Sequence, residues 1–184
     1  VNVTAIPSVA SSVSASPSSI CAGGSSSLSG SCSVGTLSWY SDAGLTTTLP
    51  SNIVSPSTTT TYYGVCVSGT CKSTGSSVTV NVSAIPSLVV PTATSKSNVC
   101  PVITVDVTSL QPAAVSGITY EWHTVSTNPS ASNLVTTPST APSGTYYLYG
   151  KSTGGCYSAA SSAVTATVNN CVPCSPVDPG TASA

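Results

Sequence analysis

The sequence predicts an all-β chain built as two disulfide-stapled sandwiches in tandem, and three observations carry that prediction. The first is composition. Of 184 residues only 4% are charged, and neither Phe nor Met occurs. Ser, Thr and Val dominate instead; β-branched residues favour strands, and a disordered chain would be more charged and poorer in them. The second is a repeated stretch. Thr58-Thr59-Thr60-Thr61-Tyr62-Tyr63-Gly64-Val65-Cys66 returns as Gly144-Thr145-Tyr146-Tyr147-Leu148-Tyr149-Gly150. Each copy follows one tryptophan (Trp39, Trp122) and precedes a glycine turn with a cysteine (Cys71, Cys156). The third is the set of 8 cysteines, a density that belongs to oxidising compartments. A metal site would need paired ligands, yet only Cys171 and Cys174 stand at that spacing, far from His123, the sole histidine.

Taken in order, Val1-Asn2-Val3-Thr4-Ala5-Ile6-Pro7-Ser8 nearly repeats Val80-Asn81-Val82-Ser83-Ala84-Ile85-Pro86-Ser87. Residues 1–8 therefore read as the end of a preceding repeat and its linker, with a strand donated to a neighbouring sheet edge as the rival reading. Repeat 1 spans 9–82. It opens with an alternating strand at 9–15, stopped by Ser16-Pro17, and a small-residue strand at 25–32. Then come Thr36-Leu37-Ser38-Trp39-Tyr40, one or two weak strands in 46–54, the aromatic strand and a closing strand at 77–82. In the last, Val78, Val80 and Val82 share a face. Residues 83–87 are a short proline-containing linker. Repeat 2 spans 88–168, with strands expected at Leu88-Val89-Val90, 101–107 and 117–123, then the second aromatic strand. Residues 169–184 are a proline-rich tail or the next linker. Short strands with turn signals about every ten residues point to sandwiches.

The ordered motifs Ile20-Cys21-Ala22-Gly23-Gly24-Ser25, Trp39, Thr59-Thr60-Thr61-Tyr62-Tyr63, Gly69-Thr70-Cys71 and Val78-Thr79-Val80-Asn81-Val82 resemble a known pattern. It is that of the tandem immunoglobulin-like repeats of large Bacteroidetes cell-surface adhesins, the gliding-motility type exported by type IX secretion. The resemblance implies two immunoglobulin-like sandwiches in a surface-anchored stalk or adhesin, with no catalytic residues. Two departures stand out. Pro101-Val102 follows Cys100 where the pattern has small residues, and Gly64 stands where antibody-type domains carry a tyrosine two before the cysteine.

Composition excludes several partners. Lys72, Lys96 and Lys151 cannot form the basic stripe that nucleic acid demands, and no apolar run of about 20 residues spans a membrane. Asp42, Asp106, Glu121 and Asp178 fall in different elements, so no carboxylate pair is expected. Glu121 and His123 flank Trp122 and are expected as an exposed polar pair on the face away from it. Catalytic residues, metal and cofactors are all expected to be absent. Trp39, Trp122, Tyr62 and Tyr146 are expected in the cores. Tyr63, Tyr147 and Tyr149, with Tyr40 and Tyr120, form a candidate contact patch for sugar rings, weighed against ordinary sheet covering.

Comparing the copies gives a disulfide map. Cys21 matches Cys100 and Cys71 matches Cys156, while Cys32 and Cys66 both lack counterparts in repeat 2. The expected bonds are Cys21–Cys71, Cys32–Cys66, Cys100–Cys156 and Cys171–Cys174. The functional expectation is a non-catalytic structural and adhesive module of a long extracellular fibre. Its partners would be neighbouring repeats, identical chains in a filament, and surface glycans. The alternatives are a self-assembling filament subunit and a carbohydrate-binding module.

Overall fold

A computed structural model describes residues 5–171. The strand end expected at residues 1–3 and the residues Cys174 and Asp178 lie outside them. Among the described residues there is no α-helix, and no helix is long and apolar enough to cross a membrane. The chain's contacts divide it into two units: Val1–Pro86 with Lys151–Cys156, and Ser87–Gly150 with Tyr157–Ala184. Residues 151–156, expected in the second repeat, thus belong to the first unit.

The first unit holds two sheets. One orders β1 (Ser11–Ser16), β3 (Ser26–Ser31) and β5 (Ile53–Val54) as β1-β3-β5. The other orders β2 (Ser19–Cys21), β8 (Ser76–Ser83), β6 (Thr60–Ser68) and β4 (Thr36–Tyr40) as β2-β8-β6-β4, with β7 (Cys71–Lys72) added to β6. β2 runs parallel to β8; the other pairings are antiparallel. Alternation places Val80 in the core and exposes Ser77, Thr79 and Asn81. Ile20, Leu28, Trp39, Val54, Tyr62 and Val80 form that core, drawn from both sheets. Gly64 has a steric reason to be glycine: a Cβ there would lie 3.1 Å from the Trp39 ring. Trp39 takes the space that a side chain at this position would fill.

The second unit has one regular sheet, of order β10-β11-β12-β9, from β9 (Ser95–Ser97), β10 (Ile118–His123), β11 (Gly144–Ser152) and β12 (Val164–Thr167). Again the short early strand, β9, runs parallel to the last, β12. The core contains Val105, Val107, Trp122, Tyr146, Leu148 and Val164. The strands expected at Leu88-Val89-Val90 and at 101–107 are not formed. Val105 instead exchanges both backbone hydrogen bonds with Ala141 at 2.9 Å, and Val107 N–H donates to Pro138 O. Asp106 Oδ1 accepts the Thr108 N–H and hydroxyl, which turns the chain into a 3₁₀ turn at Thr108–Leu110. The apolar run therefore splits, with Val105 and Val107 buried and Val102 and Ile103 exposed.

Candidate functional site

The densest group of titratable and aromatic side chains lies at the end of β10. Trp122 enters the core, so alternation turns His123 to the opposite face of the sheet. That face was expected to be open, yet His123 is 0% exposed. The correction has a physical cause: the chain after β11 folds back over this face. Ser158 pins it there, donating its N–H to Gly150 O (2.8 Å) and accepting the Gly150 N–H on its hydroxyl (3.0 Å). Tyr157 and Tyr149 then close on the imidazole edge-to-face, with centroids 5.6 and 5.2 Å away.

Hydrogen bonds fix the proton positions. Asn133 Oδ1 accepts the Ser130 N–H (3.0 Å), and its Nδ2 donates to Asn128 O (3.2 Å). That orientation leaves Oδ1 as the acceptor facing His123 Nδ1 at 2.6 Å, so Nδ1 carries a hydrogen. Nε2 lies 3.5 Å from Glu121 Oε2 and has no hydrogen-bond partner. Tyr157 donates its hydroxyl to that same carboxylate oxygen (2.7 Å). Tyr149 donates to Val125 O (3.1 Å). Burial holds the Tyr149 phenol above its ordinary pKa, with the charge of Tyr147 adding to the rise. Two clefts, one around Trp39 and one around Asn98, are lined by other side chains. With His123 sealed, the arrangement joins β10 to the 128–133 loop and to the return after β11. No three His, Cys, Asp or Glu side chains of the described residues gather at metal-binding distance. Nothing in the sequence around Cys156-Tyr157 signalled that this tyrosine would lie over β10.

The cysteines depart from the expected map. The bonds are Cys21–Cys156, Cys32–Cys66 and Cys100–Cys171, with Cα atoms 5.7, 5.6 and 5.4 Å apart. Cys21–Cys71 is replaced for a geometric reason. Cys21 pairs with Ser83 at one end of β8, while Cys71 precedes the other end, roughly 23 Å away at 3.3 Å per residue. A disulfide needs Cα atoms within about 7 Å. Cys156 reaches Cys21 because the turn 151–156 seats in the first unit, where a Cβ on Gly154 would lie 2.0 Å from Ser83 Oγ. Cys100–Cys156 and Cys171–Cys174 are replaced in turn. Asn98 donates its N–H to Thr167 O, and Asn169 N–H donates to Asn98 Oδ1, which holds Cys100 beside Cys171. Three disulfides are the mark of an oxidising, extracellular environment.

Of the aromatic residues, Trp39 and Tyr62 are in the first core and Trp122 and Tyr146 in the second. The candidate contact patch does not assemble. Tyr149 is 2% exposed, Tyr63 and Tyr147 are half-buried, and Tyr63 belongs to a different unit. Tyr40 is also buried, with Lys72 Nζ 4.8 Å over its ring.

Compared with known families and with characterised proteins, the sequence matches none. What the described residues define is an all-β, disulfide-bonded protein of several sheets.

Proposed function

We propose that the chain is a non-catalytic structural and adhesive module of a long extracellular surface fibre. It is made of two tandem immunoglobulin-like sandwiches of the Bacteroidetes adhesin kind, and works by spacing, bearing force and offering contact surface. One observation carries the reading: the same serine stitch occurs in both units, once in the first and twice in the second. Ser73 hydroxyl accepts the Cys66 N–H (3.0 Å) while its N–H donates to Cys66 O (2.9 Å). Ser158 does the same to Gly150, and Ser161 to Leu148. Each serine hydroxyl donates onward to the next residue's carbonyl, Thr74 O, Ala159 O or Ser162 O. An arrangement of this kind, placed after the Thr-Tyr-Tyr strand in both units, supports duplication of one module. The parallel pairing of a short early strand with the last strand, in both units, supports it too. Tyr146 adds a tyrosine-corner-like bond, donating its hydroxyl to Pro142 O (3.0 Å).

Single-molecule stretching of the oxidised chain tests the reading. A force-bearing module gives discrete unfolding peaks whose extension lengthens when the disulfides are reduced. Featureless stretching overturns it, as does turnover of a glycan or peptide that Glu121→Gln or His123→Ala abolishes. Electron microscopy of the purified chain separates it from the filament alternative, which requires polymers.

A further inference from the structure

We infer that the first unit binds a neutral, hydroxyl-rich ligand, a hexose-sized unit of a glycan, in a cleft beside Trp39. The inference rests on the adhesive reading above and gives it a site and a ligand class. The cleft has a volume of about 520 Å³, within the range of roughly 300–1,000 Å³ typical of small-molecule sites.

The chain path creates it. Past β4 the chain turns back, with Ser41 N–H donating to Thr47 O (3.1 Å) and Leu49 N–H to Trp39 O (2.8 Å). It then crosses to the other sheet, where Leu28 N–H donates to Asn52 O (2.8 Å) and β5 pairs with β3. Behind this crossing the edges of two sheets face one gap. Trp39 turns its carbonyl toward Leu49, away from β6, so Leu37, two residues earlier, turns its N–H and C=O the same way. Leu28 turns its N–H toward Asn52, so Gly30 likewise presents its N–H and C=O on the side that β5 has left. Among the described residues neither of these two pairs has a ladder partner there.

These features select the ligand. No charged side chain lines the cleft, so a charged ligand would lose hydration without gaining a counter-ion. A wholly apolar ligand would cover the backbone groups of Leu37 and Gly30 and leave them unmet, which costs the desolvation of each group. An extended peptide needs several residues of open edge, but the pairings at Trp39 and Leu28 close both ends. A compact polyol carries donors and acceptors on every side and an apolar ring face for the partly buried Leu37 and Leu49. It meets all of these conditions.

The test applies the intact oxidised chain to an array of neutral, anionic and peptide ligands. Titration of any binder is then followed by tryptophan emission. Trp122 is 1% exposed in the other unit and serves as an internal reference. The expected result is saturable binding of a neutral glycan with a change in emission that Trp39→Phe removes. Thr48→Tyr, an exposed change at the cleft rim, should weaken binding by about tenfold or more, the loss of one contact of about 1.4 kcal/mol. Ser51→Tyr, also exposed on the rim, stands in if Thr48→Tyr alters the disulfide map or thermal midpoint. No saturable binding, binding unchanged by both rim variants, or preference for peptides or anionic glycans overturns the site. An array without binders sinks the cleft and leaves the stretching result to judge the spacer. Featureless stretching by a glycan-binding chain sinks the spacer alone.

Discussion

Ser158 grips Gly150 from both sides, donating its N–H to the Gly150 carbonyl and accepting the Gly150 N–H on its own hydroxyl. Both residues are buried, so no water replaces the hydroxyl if it is removed. Ser158→Ala is expected to destabilise by about 1–3 kcal/mol, the cost of leaving one buried N–H without an acceptor. Ser73→Ala, which orphans the buried Cys66 N–H, should cost a similar amount. Urea unfolding of both variants measures this. Two neutral substitutions would show that the stitch carries no stability.

The second prediction concerns the covalent frame. Peptide mapping of the unreduced chain should give Cys21–Cys156, Cys32–Cys66 and Cys100–Cys171. Removing Cys32 and Cys66 together should cost about 2–4 kcal/mol, plus the packing of a Cys66 side chain that is 0% exposed. Recovery of a Cys21–Cys71 peptide would contradict the seating of the 151–156 turn.

Much of the fold was legible because its signals are local. Thr-Tyr-Tyr strands, the alternation of Val78, Val80 and Val82, and the turn residues each act within a few positions. Of the four expected cysteine bonds only Cys32–Cys66 is formed. Comparison of the copies assigned Cys21 to a cysteine of the turn after an aromatic strand, and it is bonded to one, but to Cys156. Choosing between the two needed to know which turn reaches the end of β8, and that is a tertiary fact. His123 failed for the same reason. Alternation gave its face correctly, but the cover comes from Tyr149 of the neighbouring β11 and from Tyr157, carried over it by a chain return written only as a serine after Cys156-Tyr157. In 101–107 the apolar run was a sound strand signal, overridden by the Asp106–Thr108 turn and the pairing of Val105 with Ala141.

A third prediction follows from the turn before β4. Gly35 adopts φ +86°, and a Cβ there would lie 2.3 Å from Val67 O. Both the conformation and the space demand glycine, since the clashing atom is backbone of the neighbouring strand. Gly35→Ala should destabilise by more than about 1 kcal/mol, whereas Gly69→Ala meets nothing within 4 Å and bears only its φ of +59°. Thermal midpoints should fall further for the first. Equal midpoints would mean that the approach of Gly35 to Val67 is not tight.

The last prediction is a pH dependence. Burial raises the pKa of Tyr62, Tyr146 and Tyr149 above the ordinary 10.0, because the phenolate would lose its hydration in the core. The sign follows from linkage. The folded chain holds these protons more tightly than the unfolded chain, so their contribution is fully present below pH 10.0. Above it the unfolded state gives up protons first, and stability falls until the folded-state values are passed. Tyrosinate absorbance of the native chain should therefore rise later than that of the chain unfolded in denaturant. The late phase should coincide with loss of native circular dichroism. Tyr149→Phe should shrink that phase and, by deleting the bond to Val125 O, cost about 1 kcal/mol at neutral pH. Native and unfolded titration curves that superpose would show that these hydroxyls reach solvent, and the assignment of both cores would fail with them.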